Sequence, residues 1–242
     1  MRVKQLGQQD YQSVWENMKQ FTCHRQAETE DELWLLEHFP VYTQGQAGKQ
    51  EHVINTGHIP IIHSDRGGQI TYHGPGQMIA YVLLDLKRRN LGIRTLVCEL
   101  EQLLIDLLAT YHIPAHRQAQ APGVYVAQQK IASIGLRVKN NCTYHGIALN
   151  VDLDLEPFHG IHPCGFQQLK MTRIKEYDDQ ISLTHVEKVF TQLFLAKFER
   201  THVKHSETSL ENRSMPYSKT THCTQDNDLR FEMTESQVRA DG

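Results

Sequence analysis

The 242-residue sequence lacks several features that would assign it to a broad class of protein at once. It has no basic excess, since 25 Lys and Arg stand against 28 Asp and Glu, and this speaks against binding to nucleic acid. No stretch approaches the roughly 18 consecutive apolar residues of a membrane span, and the N-terminus lacks the apolar core of a secretory signal. The sequence therefore predicts neither a nucleic-acid partner nor a membrane partner.

Cysteine is scarce, and its pattern is not that of a disulfide-bonded protein. The residues are odd in number and irregular in spacing, with no Cys-x-x-Cys pair: Cys23, Cys98, Cys142, Cys164 and Cys223. This argues against a disulfide framework and in favour of a reducing compartment. We therefore predict a cytoplasmic location.

What the sequence does contain is a mixture of helical and strand patterns. Apolar stripes predict helices that run from Asp10 to about residue 26, from Thr95 to Pro114, and from Thr184 to about residue 200. Thr184 and Glu187 have the spacing of a capping box. Apolar or alternating runs predict strands over residues 32–38 (with 41–43 as an extension), 78–84, 123–126, 130–138 and 143–155. The last of these alternates like a half-buried strand.

This order of elements predicts the α+β class, with a mixed, largely antiparallel sheet and helices packed on it. Residues 1–200 are expected to form one domain. Residues 201–242 are rich in Ser, Thr, His, Asn and acidic residues and have no sustained apolar period. They are predicted to be a polar, flexible tail.

Residues 65–77 are unusual, because they hold four glycines and a proline beside charged and aromatic side chains. Glycine allows the backbone to approach another surface closely, and proline stiffens its path. An apolar run follows directly and reads as a buried strand. A shaped loop leading into a core strand is a natural place to hold a ligand, although a glycine-rich hairpin without function is the simpler interpretation.

A second unusual loop places Cys164 between Pro163 and Gly165, beyond the predicted strand 143–155. Most lone cysteines are buried and inert, but a nucleophilic one needs a histidine, a cation or a helix N-terminus to favour its thiolate. His159 and His162 are near in sequence. Lys130 is another candidate, because it begins the strand predicted to pair with the one leading towards Cys164. It could equally be an ordinary surface lysine.

His159, His162 and Cys164 can also be read as zinc ligands by residue type. Their spacing is not that of a zinc finger, and no fourth ligand is evident. We therefore predict no metal site.

Five segments stand out in this order: Arg-Gly-Gly-Gln-Ile-Thr-Tyr-His-Gly-Pro-Gly-Gln (66–77), Ala-Pro-Gly-Val-Tyr-Val (121–126), Lys-Ile-Ala-Ser-Ile-Gly (130–135), His-Gly-Ile-Ala-Leu-Asn (145–150) and His-Pro-Cys-Gly (162–165). Together they resemble one known family, the lipoyl(octanoyl) transferases. The resemblance covers about residues 1–200, making this the predicted acyltransferase catalytic domain. It implies a fold like that of biotin protein ligases and lipoate ligases.

The resemblance also implies roles for individual residues. Cys164 would be the acyl-thioester nucleophile, and Lys130 would lower its pKa. The substrate pocket would be lined by Arg66, Gly67, Gly68, Gln69, Ile70, Thr71, Tyr72, His73, Ser133, Ile134, Gly135, Gly146, Ile147 and Ala148. The strand faces around Ile134 and Ile147 are expected to supply part of an apolar pocket for an eight-carbon chain.

The implied reaction moves an octanoyl group from octanoyl-acyl carrier protein to Cys164 and then to a lysine of a lipoyl domain. The implied acceptors are the lipoyl domains of 2-oxoacid dehydrogenase E2 subunits and the glycine cleavage H protein. No cofactor is expected, since the thioester is already activated and the sequence lacks a phosphate-binding P-loop motif. Lys130, His73 or the departing thiolate could deprotonate the acceptor lysine. An ATP-dependent lipoate or octanoate ligase, or a non-catalytic module that binds carrier protein, are the alternatives.

Overall fold

A computed structural model describes residues 1–119, 121–165 and 169–199, and for Cys164 it describes the backbone. The strands are β1 (Arg2–Gln9), β2 (Glu32–His38), β3 (Val41–Gln44), β4 (Ile61–His63), β5 (Ile70–His73), β6 (Gln77–Leu83), β7 (Ala115–His116), β8 (Val124–Val126), β9 (Gln129–Lys139), β10 (Cys142–Asn150) and β11 (Lys170–Met171). The helices are α1 (Tyr11–Cys23), α2 (Ile93–Ala109) and α3 (Leu183–Phe198). The predicted tail, residues 201–242, lies outside the described residues and stays a prediction.

Most strands belong to one mixed sheet with the order β1-β2-β6-β10-β9-β8-β7, and β11 joins it beside β9. The β1–β2 and β9–β11 pairs are parallel, and the other pairs along this sheet are antiparallel. A second, smaller sheet has the order β4-β3-β5. The predicted α+β class with a largely antiparallel sheet is confirmed.

The turn between β9 and β10 lies at Asn140–Asn141, between the predicted strands 130–138 and 143–155. Both residues have positive φ angles, 51° and 59°, which a two-residue hairpin loop requires and asparagine tolerates. The register then pairs Gly135 with Gly146 and Ser133 with Ala148. This hairpin therefore brings two of the sequence segments into direct contact.

The prediction of a half-buried strand over residues 143–155 was wrong in two respects. All nine residues of β10 are buried, because α2 and α3 cover one face of the main sheet and α1 covers the other. The strand also ends at Asn150. Beyond it, the N–H groups of Val151 and Asp152 both donate to the carbonyl of Gly76 (3.1 and 2.8 Å), and the chain turns away from the sheet.

Helix α2 packs a stripe of leucines against the main sheet. Its leucines at positions 96, 100, 103, 104, 107 and 108 are all buried against the main sheet. Burying one leucine side chain contributes on the order of 2 kcal/mol, so this stripe is a main support of the fold. The helix begins at Ile93, slightly before the predicted Thr95, and ends before Pro114 as expected.

Helix α1 begins as predicted, since the Asp10 carboxylate accepts the Ser13 N–H at 2.9 Å.

Two strands differ from the prediction made from the sequence. Strand β1 was not predicted, because it is a polar edge strand with few apolar residues. Residues 41–43 do not extend β2; they form β3 in the second sheet after the break at Phe39–Pro40.

No helix within the described ranges is long and apolar enough to cross a membrane.

Helix α3 gives a stability prediction, because its cap is not the predicted Thr184. The hydroxyl of Ser182 accepts the N–H of His185 at 3.3 Å, which makes Ser182 the N-cap. We expect Ser182→Ala to lower the free energy of unfolding by about 1 kcal/mol. Thr184→Ala, also at an exposed position, should change it little; urea unfolding of both variants makes the comparison. Equal losses would contradict the assignment.

Candidate functional site

The glycine-rich stretch predicted as one loop is divided between two sheets. Residues 64–69 form a turn, residues 70–73 are β5 of the second sheet, and Gln77 begins β6 of the main sheet. Gly76 makes the change of sheet possible. Its φ is +84°, and an added side chain would lie 2.6 Å from the Asp152 carbonyl. A glycine is needed there because the two backbones touch.

Arg66 fixes the turn to the second sheet. Its guanidinium is buried and donates to the Thr43 hydroxyl at 3.0 Å and to the Thr43 carbonyl at 2.5 Å. It also donates to the carbonyls of Gly67 (2.9 Å) and Gln69 (2.7 Å). One cation thus joins strand β3 to two positions of the turn, Gly67 and Gln69. Arg66 is therefore a structural element of the site as well as a predicted pocket residue.

Asp65, the neighbour of Arg66, ties the same turn to the main sheet and to α1. Its carboxylate accepts the Trp15 indole N–H at 2.8 Å, the Tyr144 hydroxyl, and the His145 Nε2–H at 2.9 Å. Burial alone would raise the pKa of Asp65, but the hydrogen bonds from His145, Tyr144 and Trp15 hold it well below its ordinary value. The sequence motifs include His145, but nothing in them indicated Asp65 as its partner.

The predicted pocket residues of β9 and β10 divide between the two faces of the main sheet. Ser133, Gly135, Gly146 and Ala148 pair directly across the hairpin and form a surface of small residues. The turn lies on it: the Gly67 N–H donates to the Leu136 carbonyl at 3.0 Å, and a side chain at Gly135 would lie 3.0 Å from the Gly67 carbonyl. These small residues therefore let the loop pack closely on the sheet.

The side chains of Ile134 and Ile147 are not brought to this surface. Ile134 pairs with Ile147 in the hairpin, between the two pairs of small residues. Both isoleucine side chains pack in the core cluster that contains the buried leucines of α2. The structure places them on the opposite face because adjacent residues of a strand point to opposite sides. At the loop face, these two positions can contribute backbone atoms only.

His73 is held in one tautomer by its neighbours. Because Gln77 uses its amide N–H groups on the Tyr72 carbonyl (3.3 Å) and on Asn150 (2.9 Å), its Oε1 must accept, and His73 Nδ1 must donate to it (2.8 Å). Burial holds the pKa of His73 well below its ordinary value, so Nε2 is an unprotonated acceptor for the Thr43 hydroxyl (3.0 Å). Both ring nitrogens of His73 are therefore engaged.

The same polar chain continues to the strand of Lys130. The Asn150 amide donates to the Thr172 carbonyl at 2.9 Å, and the Thr172 N–H donates to the Lys130 carbonyl at 3.0 Å. A buried, fully connected network of this kind holds its members in one geometry. The histidine of the glycine-rich stretch and the predicted lysine thus belong to one connected assembly.

Lys130 is not a surface lysine, since only 2% of it is exposed. Its ammonium donates to the Pro122 carbonyl at 2.8 Å and lies 5.4 Å from the centre of the Tyr125 ring. In the register of the sheet, Lys130 pairs with Met171 of β11, in the segment that follows Cys164. Burying a lysine in this way has a desolvation cost that surface lysines avoid.

The backbone around Cys164 forms a short 3-10 turn, Pro163–Gly165. Gly165 has a φ of +78° and donates its N–H to the His162 carbonyl at 3.0 Å. A side chain at Gly165 would collide with the carboxamide of Gln69, so this turn is docked on the glycine-rich stretch. Two predicted parts of the site, the loop and the cysteine turn, therefore meet at Gln69.

The two described imidazoles of the possible zinc set have different partners. His159 is exposed and lies 3.1 Å from Glu156, while the His162 ring is 6.4 Å from that of His52. Among the residues that the structure describes, no three His, Cys, Asp or Glu side chains are grouped as a metal site would require.

Three buried histidines surround Tyr11: His38, His73 and His145 lie 5.1, 6.0 and 6.5 Å from it between ring centres. Burial lowers the pKa of all three, that of His38 to about 4. His38 donates from Nδ1 to the Gln9 carbonyl (3.0 Å) and accepts the Tyr81 hydroxyl at Nε2 (2.6 Å). The cluster is therefore neutral at physiological pH.

This cluster predicts a loss of stability in mild acid. Unfolded histidines take up protons near pH 6.5, but the folded His38 does so only near pH 4, so stability is complete above pH 6.5 and falls as the pH drops. His38 alone should account for up to about 3 kcal/mol. Urea unfolding between pH 8 and pH 5 measures the slope. His38→Gln should lower the slope of the unfolding free energy against pH by the contribution of about one bound proton. The control His58→Gln, at an exposed position, should leave the slope unchanged. A flat wild-type profile would contradict the prediction.

Comparison with known proteins agrees with this architecture. A sequence model of the lipoyl protein ligase A/B catalytic domain matches residues 10–195. The octanoyltransferase of Legionella pneumophila (strain Lens) is 60% identical over 199 residues, which are 82% of this chain and 100% of the relative. The octanoyltransferase of Dichelobacter nodosus is 54% identical over 199 residues, with the same coverage of 82% and 100%.

Among solved structures, lipoate-protein ligase A bound with ATP superposes with a TM-score of 0.69 at 12% identity, covering 82% of this chain and 85% of the ligase. At this identity the likeness concerns the fold alone, and it confirms the ligase-like fold expected from the motifs. The family match extends over nearly all of the described residues and the sequence relatives cover most of the chain, so this chain belongs to the lipoyl protein ligase A/B catalytic domain family.

Proposed function

We propose that this protein is an octanoyltransferase, which moves an octanoyl group from a thioester donor to a protein lysine in lipoylation. The naming of its relatives supports the acyl group and the transferase class. The observation that carries the mechanism is the buried Lys130, whose strand pairs with the segment that follows Cys164. A lysine fixed in this way provides the cation that a thiolate nucleophile needs.

In the first step, the Cys164 thiolate attacks the carbonyl carbon of octanoyl-acyl carrier protein. A new C–S bond to Cys164 forms, the C–S bond to the carrier breaks, and the carrier leaves as its thiolate. Because one thioester replaces another, the step needs no ATP and no cofactor. The Lys130 ammonium would stabilise the negative charge on the Cys164 sulfur before the attack.

In the second step, the amine of a lipoyl-domain lysine attacks the enzyme thioester and forms an amide. The amine must be neutral and loses a proton as the Cys164 thiolate leaves. His73 is poorly suited as the base, since its Nε2 already accepts the Thr43 hydroxyl. The departing Cys164 thiolate remains as the acceptor of that proton, because the Lys130 ammonium has no free electron pair.

The tetrahedral intermediates need hydrogen-bond donors for their oxyanion. The N–H groups of Gly67 and Gly165 are engaged with carbonyls of Leu136 and His162. Neither group therefore serves this role in the present geometry, and donors from these two loops would have to be their other N–H groups.

The predicted pocket residues from 66–73, 133–135 and 146–148 would line the pocket for the octanoyl chain, with Ile134 and Ile147 contributing backbone atoms. The donor would be octanoyl-acyl carrier protein, and the acceptors would be lipoyl domains of 2-oxoacid dehydrogenase E2 subunits and the glycine cleavage H protein. We assign the catalytic domain to residues 1–200. A cytoplasmic location suits this proposal, because the catalytic thiol must stay reduced.

The first prediction concerns the acyl-enzyme. After incubation with octanoyl-acyl carrier protein, the intact mass of the wild type should rise by one octanoyl group, and Cys164→Ser should show no thioester adduct. Cys23→Ser, which changes an exposed cysteine of α1, is the control and should react like the wild type. A wild type that stays unmodified, or a thioester that persists in Cys164→Ser, would refute the assignment of Cys164 as the nucleophile.

The second prediction concerns Lys130. Lys130→Met keeps the buried stem but removes the ammonium, so the pH midpoint of Cys164 alkylation should rise by at least about one unit, and acylation near neutral pH should slow about tenfold. Lys139→Met, at the exposed end of the same strand, is the matched control. An alkylation profile identical to that of the wild type would remove Lys130 from the mechanism.

The ATP-dependent ligase remains the alternative activity. Its test is incubation with octanoate, ATP and an apo-lipoyl domain in the absence of carrier protein. Efficient modification under these conditions, which we do not expect, would favour the ligase. Binding of carrier protein without any acyl transfer would favour a non-catalytic module.

A further inference from the structure

Helix α2 carries one buried carboxylate on its otherwise leucine-lined inner face. Glu101 is 6% exposed and follows the buried Leu100. A buried carboxylate is costly unless hydrogen bonds and charges compensate it. Glu101 has two such partners: its Oε1 accepts the Gly123 N–H at 2.9 Å, and its Oε2 lies 3.2 Å from Nε of Arg117. Neither the composition nor the motifs of the chain had indicated this residue.

Glu101 and the Lys130 ammonium both form hydrogen bonds with the same turn. Residues 121–123 of this turn are held at three successive positions. The Tyr125 hydroxyl donates to the Ala121 carbonyl at 3.1 Å, Lys130 Nζ donates to the Pro122 carbonyl at 2.8 Å, and Glu101 accepts the Gly123 N–H. Glu101 and Lys130 therefore hold the two sides of one peptide group, the one that joins Pro122 to Gly123.

Gly123 shows how closely the lysine fits this turn. Its φ is +130°, a conformation that favours glycine, and a side chain there would lie 2.6 Å from Cε of Lys130 and 3.1 Å from Nζ. The lysine stem thus fills the space that a side chain at residue 123 would occupy. A movement of the Gly123 peptide would displace the ammonium directly.

We propose that Glu101 is a positioning residue: by accepting the Gly123 N–H, it holds the 121–123 turn in the orientation that places the Lys130 ammonium for catalysis. This proposal rests on the proposed function, in which Lys130 favours the Cys164 thiolate. Glu101 acts through the turn and touches no reacting atom. The hydrogen-bond acceptor is the property that matters, and the Arg117 ion pair offsets the burial of the carboxylate.

The test compares four variants of the full chain. Glu101→Met removes the acceptor but keeps a helix-forming side chain of similar length, and Glu101→Gln keeps an acceptor oxygen without the charge. Glu101→Asp retains the charge but withdraws it by one methylene. Arg117→Ala removes the ion-pair partner and leaves the Gly123 hydrogen bond in place. The readouts are the pH profile of Cys164 alkylation, the rate of acylation by octanoyl-acyl carrier protein, and thermal stability.

We expect Glu101→Met to raise the pH midpoint of alkylation and to slow acylation near neutral pH about tenfold, with recovery at alkaline pH. Glu101→Gln and Arg117→Ala should keep the wild-type profile, whatever their thermal stability. A merely structural role would lower stability in Glu101→Met without moving the pH midpoint, and that result would overturn the proposal. An equal shift in Glu101→Gln would overturn it too, since charge and not the hydrogen bond would then be responsible.

If Glu101→Met does not fold, Glu101→Asp tests the proposal instead. A raised pH midpoint of Cys164 alkylation in Glu101→Asp supports the proposal, and an unchanged midpoint refutes it. The alkylation profile requires no octanoyl donor, so it tests the positioning role of Glu101 separately from the proposed octanoyltransferase function. A wild type that accepts no octanoyl group refutes the proposed function, while the profiles still report whether Glu101 controls the environment of Cys164.

Discussion

The site depends on one pair of adjacent charges, Asp65 and Arg66, which join the two sheets. Arg66 donates to Thr43 and Gln69 in the smaller sheet and its turn, while Asp65 accepts hydrogen bonds from the larger sheet and from α1. Each charge has several hydrogen bonds, which offset the several kcal/mol that its removal from water costs. Because the residues are neighbours in the chain, neither sheet can shift without breaking the bonds of one of them.

From this junction, a connected set of polar side-chain and backbone groups runs through the interior to the backbone of the proposed catalytic lysine. Thr43, His73, Gln77, Asn150 and Thr172 follow one another by hydrogen bonds of 2.8 to 3.0 Å. In a low-dielectric interior such a chain is stable only when every donor meets an acceptor, so its tautomers and side-chain orientations are defined. This explains why His73 is a structural member of the site, although its residue type made it a candidate base.

Local patterns predicted the secondary structure well where a single segment determines it. The Asp10 cap, the Asn140–Asn141 hairpin and the leucine stripe of α2 depend on neighbouring residues, and the structure confirms them. Patterns failed where a distant segment decides. Strand β1 exists because β2 offers it an edge, and β10 is buried on both faces because α1 covers the face that its alternation had indicated as exposed.

The sequence by itself determined the family, the α+β class and the candidate site residues, because motifs of glycine, lysine, histidine and cysteine are local and read directly. Only the tertiary structure decided which of those residues meet. It buried Lys130 against Pro122, turned Ile134 and Ile147 away from the loop, and brought Glu101 of a distant helix to the lysine's turn. Such contacts depend on helix packing and on strand register, and in a strand a displacement of one residue reverses the face that a side chain occupies.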